Sequence, residues 1–206
     1  MNKFNKYIDK KKIDEFKQLR AFYPEPEYSV IKHEDNPDFI LKDRNNYVFG
    51  VELTKYYDTP TSGRFKNIPN YLEKLINNKF IHKGDKGILK VGEILKIENN
   101  GKENPFPDKG VLRAIPQSPD RIKALKELVT SKNNKYKQYD KSLKAIDLLI
   151  YDSGDLIAGL GIQKKQILNY LFKQEQANTL ISPFRKIILI IEESSKKVIK
   201  ILLKSS

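Results

Sequence analysis

The sequence predicts a mixed α/β fold, a β-sheet flanked by helices. Three observations predict it. Helical and strand-like segments alternate as helix, strand, strand, elaboration, helix, strand, helix, strand, strand. The run 145–152 (AIDLLIYD) is short and apolar, as in a strand buried on both faces. A helix falls in the long stretch between residues 54 and 145, so the chain can cross over into a neighbouring strand.

Residues 3–20 form the first helix in this reading. Phe4, Ile8, Phe16 and Leu19 recur near helical spacing, with Ile13 beside them and lysines elsewhere. YPEPEY (23–28) cannot continue it, because two prolines fix φ and remove donors. A short strand follows at 29–33. Phe39 and Leu41 then alternate with Asp38, Ile40 and Lys42, DRNN (43–46) supplies turn residues, and 47–54 is rich in β formers. The pair reads as a β-hairpin. TPTSGR (59–64) reads as a loop, and 69–80 as a helix with Leu72, Leu75 and Ile76 on one face.

The stretch 82–118 is rich in Gly, Lys and Asn and reads as an inserted elaboration, with a strand or short helix at 88–97. Ser118 as N-cap and Pro119 in the first turn open a helix over 119–138, striped by Ile122, Leu125, Leu128 and Val129. After the strand 145–152 come a loop, a helix at 164–177 and a C-terminal hairpin of 184–193 with 196–204, turning at Ser194–Ser195. There is no internal repeat, and the expectation is a single domain, 1–206.

Composition narrows the chemistry. The 206 residues hold 39 Lys and Arg against 26 Asp and Glu, a net charge of +13. That excess favours a polyanionic partner, nucleic acid before anionic membrane. The bases are mostly Lys, and a Lys-, Asn- and Ile-rich composition also follows from an AT-rich genome. With no Cys, thiol nucleophiles, disulfides and cysteine metal sites are excluded. With 2 His, multi-histidine metal sites and Ser–His–Asp chemistry lose their basis, and a metal would be held by carboxylates, which suits Mg²⁺, Mn²⁺ or Ca²⁺. No segment reaches the roughly 18 apolar residues of a membrane span. The basic first residues lack the apolar core of a secretory signal. The expected location is the cytoplasm, with no membrane association.

Two acids stand out. Asp38 follows Pro37 at the head of one strand, and Glu52 sits in the next, within Gly50-Val51-Glu52-Leu53-Thr54. Acids on adjacent hairpin strands can converge on one divalent cation. A buried strand also tolerates an acid poorly unless it is paired or binds metal. The plainer alternative is a salt-bridged or exposed acid on a half-wet strand. Asp147, Asp152 and Asp155 bracket the 145–152 strand and read as turn chemistry. Lys135, Tyr136, Lys137, Tyr139 and Lys141 form a basic, aromatic stretch. It can contact phosphates and stack on bases, or pack its rings on the sheet with the lysines solvated.

A Pro-Asp at the head of one strand, followed about a dozen residues later by a Glu in a hydrophobic strand, resembles the PD-(D/E)XK nuclease superfamily. The run looks like its "PDF … G-V-E-L-T" variants. The resemblance implies a restriction-endonuclease-like fold with a core of helix, three strands, helix, strand, and a Mg²⁺-dependent nuclease. Asp38 and Glu52 would be metal ligands, the Leu53 carbonyl a third, and Glu15 the acid of the leading helix, with Glu34, Glu25 and Glu27 as rivals. Thr54 stands where the motif has lysine. Families of this group move that lysine to the later helix, so Lys132 is preferred over Lys55 and Lys135. Lys55, Lys135, Lys137 and Tyr136 would meet nucleic acid, DNA first. A homodimer is one assembly the resemblance allows. The alternative is a nuclease-like fold without catalysis, acting as a nucleic-acid-binding or protein-interaction module.

Overall fold

The computed structural model describes residues 3–94, 108–112, 114, 116–139, 141–153, 156–157, 161–178, 180–192 and 198–205. The expected turn at Ser194–Ser195, the NNGKENPFP run and Asp155 lie outside them. The chain divides into two compact units, Met1–Tyr56 with Ile122–Ser206, and Tyr57–Arg121.

In the first unit the strands β1 (Tyr28–His33), β2 (Phe39–Asp43), β3 (Val48–Lys55), β6 (Ile146–Asp152), β7 (Ile187–Glu192) and β8 (Val198–Lys204) form one sheet in the order β1-β2-β3-β6-β7-β8. β3–β6 and β6–β7 are parallel, and the outer pairs antiparallel. The mixed sheet, the β2–β3 hairpin and the C-terminal hairpin match the sequence expectation. The β2–β3 turn follows from its residues. Asp43 accepts from the amides of Asn45 at 2.8 Å and Tyr47 at 2.9 Å, and Asn46 takes the left-handed conformation at φ 61°.

Helices cover both faces. On one, Leu19 of α1 (Lys3–Phe22) and Tyr23 just after it pack with Phe39, Leu41, Phe49 and Val51. On the other, Leu125 and Val129 of α4 (Ser118–Lys135) and Ile167 and Leu171 of α5 (Gly161–Ala177) pack on Leu148, Ile150 and Leu189. With both faces covered, β6 and β7 are continuous apolar runs rather than alternating ones.

Two buried residues of this unit differ from a plain strand reading. Asp147 is not turn chemistry. It is fully buried within β6, accepting from Tyr23 Oη at 2.6 Å and from Arg185 Nε at 2.8 Å and Nη2 at 2.6 Å. The Arg185 guanidinium lies over the Phe49 ring at 4.3 Å. Burial and the Asp147 carboxylate together raise the Tyr23 pKa far above its ordinary value. Asp152 does what strand-end Asp does, accepting from the Leu156 amide at 3.2 Å. Gly50, at the centre of the motif, has no room for a side chain. A Cβ there would lie 2.6 Å from Pro37 Cγ and 3.1 Å from Leu143 Cδ1.

The second unit holds α2 (Pro60–Asn67), α3 (Tyr71–Ile76) and a two-stranded sheet of β4 (Lys90–Ile94) and β5 (Asp108–Leu112). It includes the expected elaboration but starts at Tyr57. Residues 59–64 are not a loop. Thr59 caps α2 by accepting from the Ser62 amide at 3.1 Å, and Pro60 opens the first turn. The helix expected over 69–80 is only α3; it buries Tyr71 and Leu75 and leaves Leu72 49% exposed. Asp85, wholly buried, accepts from Thr61 Oγ1 and Tyr71 Oη, each at 2.6 Å, and from Arg64 Nε at 2.7 Å. Those donors, Arg64 first, hold its pKa far below the ordinary carboxylate range. Among the described residues, no helix is long and apolar enough to cross a membrane.

Gly50→Ala should destabilise the protein by about 1–3 kcal/mol, because the Pro37 ring must move to admit a methyl group. Asp147→Ala should cost about 3–5 kcal/mol by leaving Arg185 without its carboxylate. Urea denaturation followed by circular dichroism measures both, and midpoints equal to wild type would contradict the packing described.

Candidate active site

The first unit gathers the acids. Asp38 lies immediately before β2, and its Oδ2 accepts from the Leu53 amide of β3 at 2.7 Å. That bond ties the Pro-Asp segment to the strand carrying Glu52. Alternation along β3 sends Val51 and Leu53 to the α1 face and Glu52 to the α4 face, where Tyr56 also packs. Glu52 is 6% exposed. From α4, Lys132 reaches the same face, and its Nζ donates to Glu52 Oε1 at 2.5 Å. Lys132 thus meets the Glu52 carboxylate on the face that Thr54 shares by strand alternation.

One positive charge does not satisfy this cluster. Among the described residues, the Glu52 carboxylate is met beyond Lys132 by the neutral hydroxyl of Tyr139 and by no second cation. Burial pushes the Asp38 carboxyl up to about 7, and the Glu52 charge adds to it. The Leu53 amide and Lys132 pull the other way, and Glu15 pushes further up. Glu15, on α1, faces His33 of β1, with Oε2 3.4 Å from His33 Nε2. His33 in turn stacks on Phe39, the residue after Asp38, with ring centroids 4.4 Å apart.

Tyr139, just past α4, completes the cluster. It is 5% exposed, and its hydroxyl lies against the Glu52 carboxylate. Burial, then the charge of Glu52 and a hydrogen bond to it, then the charge of Asp38, raise its pKa above the ordinary tyrosine value. In the sequence Tyr139 stands out only as part of the basic, aromatic stretch, and His33 as a lone histidine. No pattern links Tyr139 to a glutamate in β3, because only the sheet and α4 bring them together.

The other expected residues sit further off. Leu53 meets Asp38 through its amide. Lys55 falls on the opposite face from Glu52 by strand alternation. Lys135 is exposed at the end of α4, and Lys137 is exposed in the 3-10 turn that follows. Tyr136 is half-buried, its ring edge-on to Phe184 at 5.0 Å. The rival acids are engaged elsewhere: Glu34 with Lys32, Glu25 with Arg20, and Glu27 with Arg44 at 3.5 Å.

Among the described residues, no group of three or more His, Asp and Glu side chains is arranged to hold a metal ion. The donor set at this site is the carboxylate pair Asp38 and Glu52. Such a pair suits Mg²⁺, which keeps several waters and takes one or two carboxylates, with substrate phosphates completing its shell. Two neighbouring carboxylates, one of them with a raised pKa, are also an arrangement that a bound cation would relieve. No family model, curated protein or solved structure matches the chain.

The raised Asp38 pKa fixes a pH dependence. The folded protein holds this proton more tightly than the unfolded chain does, so Asp38 weakens stability as pH rises from about 4 to about 7. In EDTA, urea midpoints should fall across that window, and Asp38→Asn, which keeps an acceptor for the Leu53 amide, should flatten the fall. Conversely, Mg²⁺ should bind more tightly as pH rises through about 7, since the cation competes with the Asp38 proton. Isothermal titration at a series of pH values measures this, and affinity unchanged between pH 5.5 and 8.5 would contradict it.

Proposed function

We propose that this chain is a divalent-metal-dependent nuclease of the restriction-endonuclease-like class, hydrolysing phosphodiester bonds in DNA. One observation carries the reading: the Asp38 and Glu52 carboxylates share a site with the Lys132 ammonium, and burial together with the Glu52 charge holds the Asp38 proton to about 7.

Asp38 and Glu52 would hold Mg²⁺ or Mn²⁺, which when bound activates water and neutralises charge on the scissile phosphate. The chain's own residues do the rest. The Leu53 amide fixes the Asp38 carboxylate. Lys132 orients Glu52 and places positive charge where the phosphate gains negative charge. Glu15 adds negative charge that favours a cation at Asp38. The exposed lysines of the chain attract the phosphate backbone without reading sequence.

A second reading has a specific observation behind it. Lys132 already neutralises half of the Glu52 carboxylate, so the fold could bind nucleic acid or a protein without cutting. Incubation of linear, circular and single-stranded DNA and of RNA with Mg²⁺ or Mn²⁺ separates the two. The nuclease reading expects metal-dependent cleavage, reduced about a thousandfold or more by Asp38→Ala or Glu52→Ala, with DNA binding retained. Lys132→Ala should slow it by about two to three orders of magnitude. Binding with no cleavage of any substrate would leave only the second reading.

A further inference from the structure

A cavity of about 410 Å³ opens beside the acidic cluster, lined by Tyr136, Lys137, Tyr139, Lys141, Leu143 and Ile146. Its volume falls within the roughly 300–1,000 Å³ of small-ligand sites. Its lining combines three chemistries. Leu143 and Ile146 make an apolar floor. Tyr136, held edge-on by Phe184, offers a half-buried ring in fixed orientation. Lys137 and Lys141 are exposed, and among the described residues neither has an acidic partner. Tyr139 joins the cavity to the cluster. Its ring lines the one, and its buried hydroxyl lies against Glu52 in the other.

A planar ring beside an apolar floor, with two cations at the edge and the carboxylates a residue's breadth away, matches the parts of a nucleotide. The base meets the ring and floor, the phosphates meet the lysines, and the sugar–phosphate chain leads toward Asp38 and Glu52. A base paired within a duplex presents only its edges to such a cavity, whereas an unpaired base can enter and stack. We propose that this cavity holds one unpaired nucleotide next to the scissile phosphate, so that the preferred substrate is single-stranded, frayed or locally opened nucleic acid. The proposal rests on the carboxylate pair being the cutting site, because that is what makes the neighbouring nucleotide the one adjoining the cut.

Fluorescence anisotropy of short fluorescein-labelled oligonucleotides in EDTA tests it without cleavage. Four probes of one length serve: a single strand, its duplex, an abasic strand with the same phosphates, and polyglutamate. The single strand should bind tighter than the duplex, and the abasic strand about tenfold weaker than the normal one, the effect of removing a base stack. Lys137→Ala with Lys141→Ala should weaken single-strand binding and flatten its salt slope by about 0.7 for each phosphate that is no longer neutralised. Tyr136→Leu keeps an apolar neighbour for Phe184 and should erase the difference between normal and abasic strands. Equal binding of normal and abasic strands by wild type, or binding of polyglutamate as tight as that of the single strand, overturns the proposal. If metal-dependent cleavage persists in that case, the nuclease reading stands and the nucleotide cavity does not. If the base-dependent binding is found but nothing is cleaved, the cavity stands and the nuclease reading falls.

Discussion

The parallel pairing of β3 with β6 is the constraint from which the candidate site follows. Parallel neighbours cannot be joined by a tight turn, so the chain between them must cross over. Here that crossover contains the whole second unit and α4, the helix that covers one face of the sheet. With α1 on the other face, the middle of β3, from Phe49 to Glu52, is buried. An acid in β3 therefore cannot be solvated and must find its compensation within the protein. Glu52 finds it in Lys132, 80 positions along the chain and on the helix that the crossover delivers.

The fold contains buried acids handled in opposite ways, and the contrast separates structure from chemistry. Asp147 and Asp85 are fully buried, and each receives an arginine fork plus a tyrosine hydroxyl. Their carboxylates are matched donor for acceptor, which is how a buried charge is kept without penalty. Asp38 and Glu52 share a single lysine and a single backbone amide. Beyond Lys132, Glu52 meets only the neutral Tyr139 hydroxyl among the described residues, and the Asp38 proton is held to about 7. The same chain that supplies an arginine fork twice gives this third place one ammonium for two carboxylates. Under the proposed function, the remaining positive charge arrives with the ligand.

Much of this was legible in the sequence because it is local. The β2–β3 hairpin is written in alternation and in the DRNN turn, and β6 in its short, mostly apolar run. Asp38 and Glu52 are visible as acids placed where apolar residues dominate. The misses have physical causes. Residues 59–64 look like a loop because Pro, Gly and two Thr lie together, yet Thr59 and Pro60 are cap and first-turn residues of a helix. Asp147 looks like a strand-end turn residue because its partners, Tyr23 and Arg185, are far away in sequence. Gly50 reads as a weak point in a strand. Only the three-dimensional structure shows that Pro37 occupies the space its side chain would take. Residues that act through a distant neighbour leave no local trace.

That Glu52 meets a lysine from α4 and not from β3 also has a geometric reading. Thr54 shares the Glu52 face by alternation, so a lysine at either place could address that carboxylate. From the strand, its charge would be fixed by β3 alone. From α4, the ammonium arrives on a long apolar stem lying between helix and sheet, and its position depends on how the helix end is seated. The last turn of α4 also carries the negative end of the helix dipole, which favours Lys132 and Lys135 there. Tyr139 and the walls of the neighbouring cavity follow directly from the same helix end. The charge balance at Glu52 and the shape of the adjoining cavity are therefore set by one structural element, and a ligand that shifts the end of α4 acts on both at once.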